Sequence, residues 1–76
     1  MKEICMPKYG ATMESGEVTK WLVKVGDVIN KGDPIAEISS EKLVNTLESL
    51  ESGKVEELLL EEGDEAKVGD PIMRLS

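Results

Sequence analysis

Apolar and polar positions alternate over short runs along this chain, and glycine, proline and aspartate punctuate the runs. Lys2 to Met6 alternates as an opening strand and stops at Pro7, which has no amide hydrogen to give a ladder. Lys8 to Ser15 makes a loop around Gly10. Gly16 to Val23, apolar at Val18, Trp21, Leu22 and Val23, has the length and the β-branched and aromatic content of a strand. Gly26-Asp27 turns the chain and Val28-Ile29 is a brief apolar pair. Lys31-Gly32-Asp33-Pro34 turns it again, proline fixing φ and glycine accepting positive values. Ile35 to Ser39 and Leu43 to Leu47 are two further strands. Only Ser40-Glu41-Lys42 lie between them, so the simplest connection is a hairpin with Lys42 at its tip.

The pattern then starts again. Residues 53–76 superpose on residues 16–39 without a gap, Gly16 falling on Gly53, 37 positions on. Identities recur at Val18/Val55, Leu22/Leu59, Gly26-Asp27/Gly63-Asp64, Gly32-Asp33-Pro34-Ile35/Gly69-Asp70-Pro71-Ile72 and Ser39/Ser76. Most of these residue types have backbone roles, so the same turns and strand starts are expected twice. One segment conflicts: Val55 to Glu62, rich in Leu and Glu, is a better helix than strand by propensity. Gly53 and Gly63 limit such a helix to about two and a half turns, too short to stand alone. Its counterpart Val18 to Val25 is strand-like, so this segment too is read as a strand. Two such units predict a pseudo-two-fold fold in which the Lys42 connection corresponds to the place where the chain's ends meet, and therefore lies opposite the termini.

At 76 residues the chain is expected to be one domain, residues 1–76, with a thin core and no room for a separate substrate domain. Ile, Leu and Val supply nearly all the apolar bulk, and Trp21 and Tyr9 are the only aromatic residues. Sixteen acidic against nine basic residues leave a net charge of −7, which repels nucleic acid and anionic membranes and suits proteins with basic patches. No apolar run approaches the roughly 18 residues of a spanning helix, and no basic-then-apolar leader is present. A cytoplasmic setting is expected, which the single cysteine favours too. Cys5, between Ile4 and Met6, is expected to be a small buried hydrophobe rather than a reactive thiol.

Several chemistries are excluded by residue type. Without histidine there is no Ser-His-Asp or Cys-His arrangement, and one cysteine alone cannot build a zinc site. The glycines spell neither phosphate-binding motif and sit in strand-to-strand turns. Asp27, Asp33, Asp64 and Asp70 lack the calcium-loop spacing and read as turn residues. No catalytic residue and no metal ligand is assigned. The chain reads as a platform that presents something.

The motifs resemble those of the lipoyl domains of 2-oxo acid and acetoin dehydrogenase complexes, within the wider biotinyl/lipoyl carrier family. Met6-Pro7-Lys8-Tyr9-Gly10-Ala11-Thr12-Met13-Glu14-Ser15-Gly16 resembles the family's M-P-x-L-G-x-x-M-x-E-G. Trp21 to Asp27 is similar to W-x-V-K-x-G-D, Gly32 to Ile38 to G-x-x-L-x-E-I, and Val68 to Ile72 to V-G-x-P-L. Ser40-Glu41-Lys42-Leu43 stands where the family has its modified D-K-A turn, and Gly53 follows the lysine at the usual distance. Glu41 for Asp and Leu43 for Ala are departures that keep an acid before the lysine and an apolar strand start after it.

The resemblance implies an all-β fold, a flattened barrel or sandwich of two four-stranded antiparallel sheets. It implies lipoic acid amide-linked to Lys42, with Ser40, Glu41 and Leu43 forming the turn that a lipoate ligase or lipoyl transferase reads. It further implies that the loop of Tyr9, Gly10 and Thr12 lies beside the turn and helps a partner recognise it. Implied partners are a thiamin-diphosphate decarboxylase, an acyltransferase core and a dihydrolipoyl dehydrogenase, the carrier itself being a non-catalytic and, in isolation, monomeric part of a larger acyltransferase chain. A biotin carrier shares the fold but carries M-K-M at the turn, which Glu41 and Leu43 do not match. An unmodified structural module has no need of a lysine there. The substrate of the complex is left open.

Overall fold

The computed structural model of the chain describes residues 2–40 and 43–76; Met1, Glu41 and Lys42 lie outside the described residues. The described residues form eight strands and no helix: β1 (Lys2–Cys5), β2 (Ser15–Trp21), β3 (Val28–Ile29), β4 (Pro34–Ser40), β5 (Leu43–Glu48), β6 (Gly53–Leu58), β7 (Glu65–Lys67) and β8 (Pro71–Leu75). They make two four-stranded antiparallel sheets, ordered β1-β8-β6-β3 and β5-β4-β2-β7. No helix of the described residues is long and apolar enough to cross a membrane.

The duplication is visible bond by bond. Gly26 N donates to Val55 O at 2.8 Å and Gly63 N to Val18 O at 2.7 Å; Val55 N donates to Asp27 O at 2.8 Å and Val18 N to Asp64 O at 2.9 Å. Each unit therefore gives its turn and its short strand to the other unit's sheet, and the halves interlock. This crossing explains why β2 stops at Trp21 and β6 at Leu58, short of the expected Val23 and Glu62. The chain must leave the ladder there to carry Gly26 and Gly63 across. The helical propensity of residues 55–62 is overridden because Val55 is needed in the core with no exposed surface.

One turn is used repeatedly. Asp27, Asp33, Asp64 and Asp70 each donate their amide to the carbonyl three residues back, with glycine before them at φ 95–98°. Three of the four also accept, through the carboxylate, the amide of that same residue: Lys24, Asn30 and Glu61, at 2.8–2.9 Å. Glycine supplies the positive φ and aspartate closes the loop.

The register extends the symmetry to the outer strands. Ile38↔Asn45, Ala36↔Leu47 and Pro34↔Glu48 on one sheet match Leu75↔Lys2, Met73↔Ile4 and Pro71↔Cys5 on the other. The ends of the chain thus meet on the first sheet where the β4–β5 connection sits on the second. A bulge in each β8 and β4 ladder skips Ile72 and Ile35, and both residues and their successors Met73 and Ala36 turn inward. Val18, Ile35, Ile38, Val55, Ile72, Met73 and Leu75 form the dry centre, each such side chain contributing about 1.5–3 kcal/mol on burial.

Gly16 is fixed by this centre. A Cβ there would lie 2.9 Å from Met13 Cε and 3.0 Å from both Ile38 Cγ2 and Met6 Sδ. Cys5 departs from expectation: it is exposed, not buried. Ile4 and Met6 take the inward positions, and the two-residue period of a strand then sends Cys5 outward.

Candidate functional site

β4 is an inner strand whose apolar residues Ile35, Ala36 and Ile38 are held in the core, so its last turnward residues, Ser39 and Ser40, are carried on a rigid base. β5 returns alongside it at the sheet edge, and the ladder continues to the pair Ser40↔Leu43. Two residues separate the members of that pair along the chain. Those two residues are Glu41 and Lys42, the expected attachment residue and its acidic neighbour, which fall outside the described residues. Of the residues flanking them, Ser39 and Ser40 are half-buried, while Leu43 and Val44 are 60% and 66% exposed. Asn45, next on β5, holds its Nδ2 buried with no hydrogen-bond partner among the described residues.

The loop between β1 and β2 reaches the same place. Met13 N donates to Gly10 O at 3.1 Å, Met13 Sδ accepts from Tyr9 N at 3.2 Å, and Val68 N donates to Glu14 O at 2.9 Å. Buried Met13 pins the loop from beneath. Between loop and ladder end lies an open cleft of about 620 Å³. Gly10, Thr12, Ser39, Ser40 and Leu43 line it together with the carboxylates Glu14, Glu17 and Glu65.

The expected loop residues therefore separate. Gly10 and Thr12 join Ser40 and Leu43 at the cleft. Tyr9 does not line it; its ring packs against the core. Burial raises the Tyr9 phenol above its ordinary pKa, helped by the negative charge of Glu48, the residue at the end of β5 away from the connection. The acidic lining escaped the sequence reading. Glu17 and Glu65 are far apart in the chain and meet only through the β2–β7 register, and no local motif carries that information. Met13 was legible only as one letter of a family pattern.

A sandwich built twice, with the end of the β4–β5 ladder set beside a loop from the opening of the chain, has the architecture of lipoyl domains. The lipoyl domain of the 2-oxoglutarate dehydrogenase complex from Azotobacter vinelandii superposes with a TM-score of 0.78 over all of this chain and 96% of that one, at 24% identity. The sequence profile of the family described as "Biotin-requiring enzyme" matches residues 2–75, and the chain belongs to that family.

Two curated relatives from Bacillus subtilis (strain 168) are similar over the better part of the chain. The dihydrolipoyllysine-residue acetyltransferase component of the acetoin cleaving system is 47% identical over 47 residues, 62% of this chain and 12% of that protein. The lipoamide acyltransferase component of the branched-chain alpha-keto acid dehydrogenase complex is 42% identical over 43 residues, 57% of this chain and 10% of that protein. The matched stretch is about a tenth of the length of these relatives.

Proposed function

We propose that the chain is a single carrier domain, residues 1–76, in which lipoate is joined as an amide to the side-chain nitrogen of Lys42. The observation that carries this reading is the Ser40↔Leu43 pair, which ends a core-anchored ladder on either side of positions 41 and 42, in a member of the biotinyl/lipoyl family. The surroundings fit the group: the exposed Leu43 and the open cleft leave the ladder end accessible to a modifying enzyme.

An ordinary lysine amine, with a pKa of about 10.4, is protonated at neutral pH and a poor unaided nucleophile. Lys42 therefore serves as an attachment point for an acyl donor activated by a lipoate ligase or lipoyl transferase, which reads Ser40, Glu41 and Leu43. Bound there, lipoate would supply a disulfide able to take up an acyl group and electrons. The rigid β4–β5 base holds the attachment point while the lysine's own four side-chain torsions let the arm swing. Tethering keeps the cargo at high local concentration between successive active sites.

The names of the relatives support a role in a 2-oxo acid or acetoin dehydrogenase complex. There the domain would belong to a larger cytoplasmic acyltransferase chain served by a thiamin-diphosphate decarboxylase and a dihydrolipoyl dehydrogenase. The domain would do no chemistry of its own, and alone it would be a monomer. Intact-mass measurement after incubation with lipoyl ligase, lipoate and ATP tests the reading. One lipoyl increment is expected, absent in Lys42→Arg; a biotin-sized increment in cells, or a lipoyl increment surviving in Lys42→Arg, would overturn it.

A further inference from the structure

The β2–β7 ladder sets Glu17 directly opposite Glu65. Opposed residues of an antiparallel pair have Cβ atoms only about 4.5–5.5 Å apart, and like charges in that position destabilise the sheet. Both residues line the cleft beside the β4–β5 connection, with Glu14. No lysine or arginine is among the described lining residues; Lys67, two positions beyond Glu65, pairs with Ser15 and stays out of the cleft.

The duplication supplies an internal comparison. The equivalent ladder at the other end of the molecule, β3–β6, pairs Val28 with Lys54, which stand in the places of Glu65 and Glu17. The backbone arrangement therefore does not require two carboxylates. An unfavourable pair is kept only at the end that carries the lysine connection.

A second feature adjoins it. On β1, Lys2–Cys5 corresponds to Asn45–Glu48 of β5, so Leu43 and Val44 extend past the symmetric part of the edge strand. Both are large apolar residues left mostly exposed. An apolar tip bordered by charge is the anatomy of a protein docking face, with an anchor and a polar rim.

We infer that Leu43 and Val44, with Glu17 and Glu65, form the docking face for the enzyme that acylates Lys42, and that this enzyme presents an apolar hollow rimmed by lysine or arginine. The inference rests on the carrier reading given above. Charge complementarity sets the sign of the occupant, since nucleic acid and a second copy of this chain, at net charge −7, carry the same sign as the rim and are repelled. Position selects it, because the face adjoins the ladder end that flanks Lys42 and the modifying enzyme is the partner that must reach the lysine nitrogen itself.

The test uses the residues that the other half already tolerates. Initial rates of lipoylation by a lipoyl ligase, with lipoate and ATP, are measured against carrier concentration for the wild type, for Glu17→Lys/Glu65→Val and for Val44→Thr, at low and high salt. The charge variant is expected to raise KM roughly three- to ten-fold at low salt with little change in kcat, the gap closing at high salt as rim charges are screened. Val44→Thr is expected to raise KM at both salts. The charge variant should melt no lower than the wild type, since a repulsion is removed, which separates docking from misfolding. Wild-type KM for the charge variant at low salt, or a deficit unchanged by salt, overturns the docking face alone. A wild-type chain that takes no lipoyl group at all overturns both this inference and the carrier reading.

Discussion

The indole N–H of Trp21 donates to the carbonyl oxygen of Leu60 at 2.8 Å, tying the end of β2 to the connection that follows β6. The Trp21 amide is bound 2.9 Å from the Glu62 carboxylate of the same connection. This is the point where the first half hands its chain across to the second, so the bond fastens one repeat to the other. Trp21→Phe keeps most of the ring but loses the donor and leaves a carbonyl unpaired. A loss of about 1–2 kcal/mol is expected, read as a lower denaturant midpoint with unchanged m by far-UV circular dichroism.

Gly16→Ala tests the packing beneath the cleft. The added methyl meets two flexible methionine ends and one Ile38 branch that cannot rotate away without moving β4. Overpacking of this kind costs about 1–3 kcal/mol. Thermal melts give the stability change, and the same addition at Gly10, which meets nothing within 4 Å, is the control expected to shift the midpoint little.

Tyr9 makes stability depend on alkaline pH. Its folded pKa is raised from the ordinary 10.0 by burial and by Glu48, so the neutral phenol is favoured in the folded state. That contribution is complete below pH 10 and is lost as pH rises through the folded value. Ultraviolet titration of this sole tyrosine should give a midpoint above 10, falling toward it in denaturant. Tyr9→Phe should lose less stability than the wild type between pH 9 and 11; parallel curves would show that the phenol is not held back by the fold.

The flanks of the connection test ligase choice. Glu41→Met with Leu43→Met reproduces the pattern of biotin carriers on an unchanged ladder. Read by streptavidin blot, biotinylation is expected to be absent from the wild type and to appear in the double variant, with a matching fall in lipoylation. An unchanged blot would place the ligase's reading frame elsewhere on the domain.

The turns were legible because their chemistry is local: glycine and aspartate within four residues close each one without help. The gapless repeat made residues 55–58 readable as strand against their helical propensity, since a shared backbone outweighs a few tenths of a kilocalorie per residue. That the strand ends at Leu58 and not at Glu62 was not readable, because the crossing to the other half sets it. Cys5 was misjudged although its position was readable. With Ile4 and Met6 inward, alternation alone sends it out. The split of the opening loop, Tyr9 toward the core and Gly10 and Thr12 toward the cleft, was not readable, because it depends on what Met13 finds beneath it.

By itself the chain determined that it would fold twice over, where it would turn, and which lysine stands at the junction, because spacing and turn chemistry are properties of neighbouring residues. Only the tertiary structure decided that each half completes the other's sheet, that Glu17 meets Glu65, and that a carboxylate-lined cleft opens beside the lysine connection. Strand register joins residues by hydrogen bonds between distant segments, and those partners are chosen by the packing of the whole core rather than by any stretch of sequence alone.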